Sequence, residues 1–310
     1  MGAEAKVNLF IIGAAKCGTT SLFRYMEQMP VFHTTEPKEP RYFATDIPDT
    51  HRPIKTLEAY HKLYLQASPD AVYRIDASPA YMYSRDAAQK IHQYNPHARI
   101  IVMLRPPCQA VYSVHAQYLW QCDEDVADFN TAWNLSDARI KGLSLPRHCS
   151  NPLVVCYKEF ARFGRQLERY YQHFRPEQIH LILLEEMQLD VQGQFQNVLN
   201  FLELDSDISS VDFSVRNANA YHRSGFLMRL TKGKFAGYGL IRGLAKRFGI
   251  ARPTRLMHTL QSINTREQKR PPLDVKLQDK IIQHYSDDVC KIEQLTGRDL
   301  SHWRKLPRGE

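Results

Sequence analysis

An apolar run that stops at a glycine, followed by a second glycine five residues on and then by a segment with helical spacing, stands near the amino end of this chain. The run is VNLFII (7–12), the loop is GAAKCGTTS (13–21), and SLFRYMEQM places Leu22, Phe23 and Met26 on one helical face. A strand that turns through a loop into a helix can pair with a following parallel strand only by a crossover, so this unit implies a parallel sheet. ARIIVMLRPP followed by CQAVYSVHAQYLW has the same form, with Ile100 to Leu104 as a buried-strand pattern and Val111, Val114 and Tyr118 spacing a helix. VYRID reads as a short strand between them, and SPAYMYSRDAAQKIHQY as a helix after its Ser-Pro start. Later, FGRQLERYYQHF reads as helix, QIHLILLEEM as strand and VQGQFQNVLNFLEL as helix, and LDVKLQDKIIQHYSDDVCKIEQLTG as a long amphipathic helix or helix pair ending near Gly297. The expected fold class is α/β, a P-loop-like parallel sheet with helices on both faces. No Pro/Gly/Ser linker divides the sequence, so residues 1–310 are read as one domain.

Composition narrows what such a sheet does. With 310 residues, 43% hydrophobic and 24% charged, the chain buries a core without staples and is neither disordered nor fibrous. The longest apolar stretches fall far short of the roughly 20 residues that span a bilayer. The first residues, MGAEAKVNLFIIG, lack a basic region before a long apolar core, so a cytoplasmic location is expected. Six scattered cysteines contain no CxxC pair and the 13 histidines no HxxxH or HExxH, so reduced thiols and no metal site are expected. Net charge is +8, but residues 223–270 alone contribute +11, which leaves the remainder at −3. That segment interleaves its cations with Phe226, Leu227, Phe235, Tyr238 and Phe248, and reads as an acceptor lid, an anionic-acceptor site, a peripheral membrane surface or a solvated helical face. Its five glycines make it the least regular part of the chain. No helix-turn-helix, RNA-recognition or zinc signature accompanies the charge, so nucleic acid is not the expected partner.

Gly13 and Gly18 have the G-x-x-x-x-G spacing of a Walker A loop, whose backbone N–H groups and helix amino terminus cradle anions. The residue after Gly18 is Thr19, where a nucleoside triphosphatase has lysine, and the loop's lysine is Lys16. Taken alone, the loop reads equally as a tight strand-to-helix turn. Arg105 directly follows the second apolar strand and Ser113 lies eight residues on. A guanidinium and a hydroxyl there form a second phosphate clamp, on the edge where open α/β sheets bind ligands. Two clamps on neighbouring strands suit a ligand with two separated phosphates.

With both clamps in order, the sequence resembles the sulfotransferases that use 3′-phosphoadenosine 5′-phosphosulfate (PAPS), and most closely the bacterial and glycan-modifying branches. The resemblance runs through IIGAAKCGTTS, KEPRYF, IDASPAYMY, IIVMLRPPCQAVYS, LILLEEM, RNANAYHRSG and LTGRDLSHW, nearly the whole chain. It implies that Lys16, Cys17, Gly18, Thr19, Thr20 and Ser21 hold the 5′-phosphosulfate, that Arg105 and Ser113 hold the 3′-phosphate, and that Arg223 adds a basic contact. It also implies Lys16 and Glu39 as catalytic residues, Glu39 matching the glutamate base of the glycan-modifying branch. Without the resemblance, Glu39 beside Lys38 and Arg41 reads as a surface carboxylate. Ala77 stands where the heparan sulfate branch has lysine, with Asp76 before it, which argues against carrying over heparan specificity. His33 is the nearest alternative base, Tyr81 and Tyr83 read as packing residues, and Cys17 as a small loop filler whose reactivity depends on its pKa.

The expected reaction moves a sulfuryl group from PAPS to a hydroxyl of a carbohydrate or small metabolite, with an amine as the N-sulfation variant. The moving SO₃ unit carries less charge than a phosphoryl group, so no metal clamp is required. The competing readings are a P-loop kinase or nucleoside triphosphatase, and an inactive anion-binding or membrane-surface module. Oligomeric state is not legible.

Overall fold

The run after Asn8 becomes β1 (Leu9–Gly13), in which every residue is buried. Successive strand side chains point to opposite faces, so a fully buried strand means that both faces of its sheet are covered. The computed structural model describes residues 6–48, 52–147, 149, 151–214, 220–222, 265–267 and 270–306. Along the chain β1 is followed by α1 (Thr19–Glu27), β2 (Phe32–His33), α2 (Leu57–Lys62), β3 (Tyr73–Asp76), α3 (Ala80–Tyr83), α4 (Ala87–Tyr94) and β4 (Arg99–Leu104). Then come α5 (Pro107–Gln121), α6 (Phe129–Asn134), α7 (Ser136–Ile140), α8 (Tyr157–Phe160), α9 (Phe163–Tyr171), β5 (Ile179–Leu183), α10 (Leu184–Leu189) and α11 (Val191–Phe201). A two-stranded ribbon, β6 (Ala220–His222) with β7 (Thr265–Glu267), precedes the last helix, α12 (Val275–Thr296).

The first five strands form one parallel sheet in the order β2-β3-β1-β4-β5. This is the expected α/β architecture. Because all five run the same way, their carboxyl ends, Gly13, His33, Asp76, Leu104 and Leu183, lie on one edge. From β1 the chain passes to the edge strand β2, returns inward to β3, and then crosses β1 to β4 and on to β5, so the connections that leave the neighbours β1 and β4 go to opposite sides and the switch point, where such sheets take ligands, lies between them.

Local departures from the sequence reading have visible causes. QIHLILLEEM divides: β5 ends at Leu183, paired with Leu104, and beyond it β4 turns away at Pro106, so Leu184–Leu189 coils into α10. The SPAYMY…QY helix also divides, because Ser84 is extended and its hydroxyl accepts the N–H groups of Asp86 and Ala87 at 3.3 and 3.1 Å, opening a new helix. The carboxyl-terminal segment is one helix, closed by Gly297 at φ 68°.

The chain divides into two compact units. The first, residues 1–111, 160–217 and 275–310, holds the five-stranded sheet. In it Asp288 of α12 accepts the N–H groups of Gly164 and Arg165 at 2.7 and 3.0 Å, capping the start of α9. The second, residues 112–159 and 218–274, contains α6, α7 and the β6–β7 ribbon, and packs Phe129 against His115 and Tyr157 with ring centroids 5.0 and 5.6 Å apart.

Each unit contains a histidine that burial holds neutral. His115 donates from Nε2 to Val126 O at 2.8 Å, while Arg270 contacts Nδ1, and its pKa is pushed down to about 4 by burial and then by Arg270. His180, stacked on Phe201 with centroids 5.0 Å apart, is likewise pushed down to about 4 by burial and then by Arg298. An unfolded histidine takes up its proton near pH 6.5, so these groups contribute nothing above that pH and favour unfolding as pH falls from 6.5 towards 4. Each is expected to remove about 2 kcal/mol of stability at pH 5. His180→Phe should therefore lose less between pH 7 and 5 than the parent in urea titrations; an equal loss removes His180 from the account.

Candidate functional site

The loop between β1 and α1 is shaped by backbone demands before any side chain enters. Gly18 adopts φ 93° and a Cβ there would lie 2.8 Å from Leu184 Cδ1, while a Cβ on Gly13 would lie 2.5 Å from Met82 Cβ. Only glycine meets both conditions. Gly18 is also the N-cap of α1, and no side chain caps that helix. Its amino terminus therefore offers backbone N–H groups and the positive end of its dipole to an anion.

Three cations from three strand ends gather around this loop. Lys16, in the loop itself, is mostly buried and its pKa is lowered by burial and then by Arg105. Arg105, just beyond β4, donates from Nη1 to Lys16 O at 3.3 Å and from Nη2 to Gln109 Oε1 at 2.9 Å, and its Nε is buried without a partner. Burial lowers its pKa too. Lys38, from the segment after β2, donates to Thr20 Oγ1 at 3.3 Å, and burial lowers its pKa as well. Cations strained by desolvation in this way are relieved when an anion replaces their water.

Glu39 is joined to this cluster by its neighbour. Lys38 Nζ lies 3.9 Å from Glu39 Oε1, and Arg41 Nε donates to Glu39 Oε2 at 3.0 Å with Nη2 also in contact. The carboxylate is 30% exposed, half-buried rather than free on the surface. Behind it, Asp76, Ser78, Tyr60 and Tyr81 form a buried hydrogen-bonded cluster at the end of β3.

Lys16, Cys17, Gly18, Thr19, Thr20, Ser21, Glu39 and Arg105 are thus brought to one edge of one sheet. Ser113 lies on α5, within the second unit, and Arg223 lies outside the described residues, as does most of the 223–270 segment. Cys17 is fully buried, donates to Ala15 O at 3.6 Å, and burial pushes its thiol up to about 12. A buried thiol whose thiolate is disfavoured in this way is a poor nucleophile. His33 bonds Leu63 O at 3.2 Å, a structural role. Among the described residues no group of three or more His, Cys, Asp or Glu is arranged to hold a metal, and no helix is long and apolar enough to cross a membrane. Sequence reading passed over Lys38 and Asp76. The signal for Lys38 was its place in EPKEPRYF, where it reads as an exposed neighbour of Glu39.

Comparisons with known proteins identify the family and the fold. The family described as "Sulfotransferase domain" matches residues 6–229. Heparan sulfate glucosamine 3-O-sulfotransferase 5 of Mus musculus is 23% identical over 200 residues, 64% of this chain and 54% of that protein. The chain therefore spans about half the length of this curated relative. The crystal structure of a sulfotransferase from Alicyclobacillus acidocaldarius superposes with a TM-score of 0.70 at 23% identity, covering 97% of this chain and 100% of that one.

Proposed function

The chain belongs to the sulfotransferase family, and on that premise we propose that it transfers a sulfuryl group from PAPS to an acceptor hydroxyl of a carbohydrate or small metabolite, with Glu39 as general base. The observation that carries this reading is the Lys38 bridge, which ties Thr20 of the anion loop to the carboxylate of Glu39. A base held one side chain away from the donor loop is what in-line transfer requires, since attacking and leaving oxygens flank one sulfur.

Each residue then has a part. The 13–18 loop and the start of α1 hold the 5′-phosphate oxygens, with Thr20 and Ser21 adding hydroxyls. Glu39 accepts the acceptor's proton as the acceptor oxygen bonds to sulfur and the bond from sulfur to the phosphate oxygen breaks. Lys16 balances the charge that collects on the departing phosphate oxygen, and Lys38 offsets the repulsion between the carboxylate base and the anionic donor. Arg105, with a buried Nε lacking a partner, is the guanidinium for the 3′-phosphate. Thr19, where a triphosphatase lysine belongs, is buried, which disfavours the kinase reading.

Binding of 3′,5′-bisphosphoadenosine without metal tests the two clamps. At about 100 times its dissociation constant it is expected to add roughly 2.7 kcal/mol, or about 4 °C in melting temperature, with AMP giving much less. A larger shift with ATP and Mg²⁺ than with the bisphosphate overturns the reading.

A further inference from the structure

Asp76, the last residue of β3, is fully buried and takes no part in the mechanism above. Its Oδ1 accepts from Ser78 Oγ at 2.6 Å, and its Oδ2 from the hydroxyls of Tyr60 and Tyr81 at 2.9 and 2.7 Å. Two of these hydroxyls serve twice. Ser78 Oγ accepts the backbone N–H of Arg41 at 3.0 Å, and Tyr81 Oη accepts that of Phe43 at 3.4 Å. The direction of every bond is forced. A carboxylate only accepts, a hydroxyl that gives its one hydrogen to Asp76 has only lone pairs left, and a backbone N–H only donates. Arg41 itself has φ 54°, a conformation that a non-glycine residue keeps only when its surroundings hold it there. Its side chain in turn holds Glu39 Oε2.

We propose that Asp76 is the positioning residue for Glu39: through Ser78 and Tyr81 it fixes the backbone of residues 41–43, and through Arg41 it aims the Glu39 carboxylate. The inference rests on the reading of Glu39 as base. It assigns a task to the carboxylate of the IDASPAY motif, whose side chain never reaches a reacting atom.

The relay has a pH sense. Burial pushes the Asp76 carboxyl up to about 6, against the pull of its three hydroxyl partners and with a further push from Glu39. The titratable groups that face it are Tyr60, from α2, and Tyr64 just beyond it, Tyr81 of α3, Tyr170 of α9, and Lys38 and Glu39 from the segment after β2. Once protonated, Asp76 has a hydrogen of its own to donate, and one hydroxyl must reverse or lose its bond. A relay hydroxyl that reverses points its hydrogen at a backbone N–H. Where that hydroxyl is Ser78 or Tyr81, and not Tyr60, the hold on residues 41–43 weakens as pH falls through about 6.

Amide hydrogen exchange and steady-state kinetics on the full chain test this with Asp76→Asn and Ser78→Ala. Asparagine brings an NH₂ that cannot accept from the hydroxyls, and alanine cuts only the branch to Arg41 while Asp76 keeps both tyrosines. Both variants are expected to lose at least tenfold of the Arg41 amide's protection, and about 10²-fold of kcat, the scale of a small misplacement. KM and the affinity for 3′,5′-bisphosphoadenosine should stay within about twofold, and in Asp76→Asn the acidic limb of kcat near pH 6 should move lower, a change that general loosening does not produce. If Asp76→Asn does not fold, Ser78→Ala decides. Parent-like Arg41 protection or parent-like kcat in Ser78→Ala overturns the inference. Exchange is read without substrate, so a parent that neither binds the bisphosphate nor transfers a sulfuryl group ends the functional reading, while unchanged Arg41 protection in Ser78→Ala ends this one alone.

Discussion

Glu39→Gln is expected to slow sulfuryl transfer by roughly 10²-fold or more while leaving the affinity for 3′,5′-bisphosphoadenosine within about threefold of the parent. Glutamine has nearly the size of glutamate and keeps an oxygen that can accept from Arg41 Nε, which in the parent lies 3.0 Å from Oε2. What it loses is the capacity to take a proton and the negative charge 3.9 Å from Lys38 Nζ. The effect should therefore appear in kcat, because on the proposed reading the donor is bound by Lys16, Arg105 and the loop, which the substitution does not touch. Stopped turnover with labelled donor and calorimetry with the bisphosphate separate the two. Near-parent kcat in the variant removes Glu39 from the mechanism and leaves it as one half of a half-buried ion pair. Loss of bisphosphate affinity along with kcat points instead to a damaged loop, with Lys38 pulled away from Thr20.

The second large effect is on stability, in the second unit. Arg139 and Glu124 are both fully buried and meet through two parallel bonds of 2.6 and 2.8 Å. Around them the Tyr157 hydroxyl donates to Glu124 Oε2 at 2.7 Å, the N–H groups of Asp125 and Val126 donate to Oε1 at 3.0 Å, and Arg139 donates to Val155 O at 3.2 Å. Burial opposes the charged form of Glu124, but the bonds from Arg139 and Tyr157 outweigh it and hold the carboxyl below its ordinary value. Removing one partner strands the other as a buried charge, so Arg139→Met is expected to cost about 3–5 kcal/mol. Arg139→Met combined with Glu124→Leu should cost clearly less than the two single changes added together, because the double variant leaves no unpaired charge. Since the folded pKa of Glu124 is depressed, the pair's contribution is present above the ordinary glutamate range and is lost as pH falls through the lower folded value. Urea unfolding followed by tryptophan fluorescence reads these differences. An Arg139→Met variant within about 1 kcal/mol of the parent sinks the account.

The strand ends and the loop were legible in the sequence because they depend on short-range patterns. VNLFIIG and ARIIVML announce strands by continuous apolar runs, Gly13 and Gly18 announce an anion loop by spacing, and Arg105 stands where the second strand must end. The roles of Lys38 and Asp76 are set by contacts across the sheet edge, between residues 38 and 20 and between residues 76, 60 and 81, and no local pattern records them. The same holds for Arg139 and Glu124, 15 residues apart across α6 and an irregular stretch. Division of the chain into two units left no mark either. Two of its four boundaries fall at Val111 within α5 and at Glu159 within α8, inside helices rather than at a linker.

The cap that Asp288 places on α9 joins residues 124 positions apart. During translation α9 is made long before its capping carboxylate, and both stretches of the second unit are made before the first unit can close around α12. Closing so long a loop costs entropy that no local contact returns in advance. A nascent chain that already holds the complete 13–18 loop therefore still exposes the face of α9 that α12 covers, and biosynthetic maturation of the sheet-bearing unit waits on its final segment. Stalled or prematurely terminated chains that stop before residue 288 are expected to be substrates for chaperones and proteases rather than partly active enzymes.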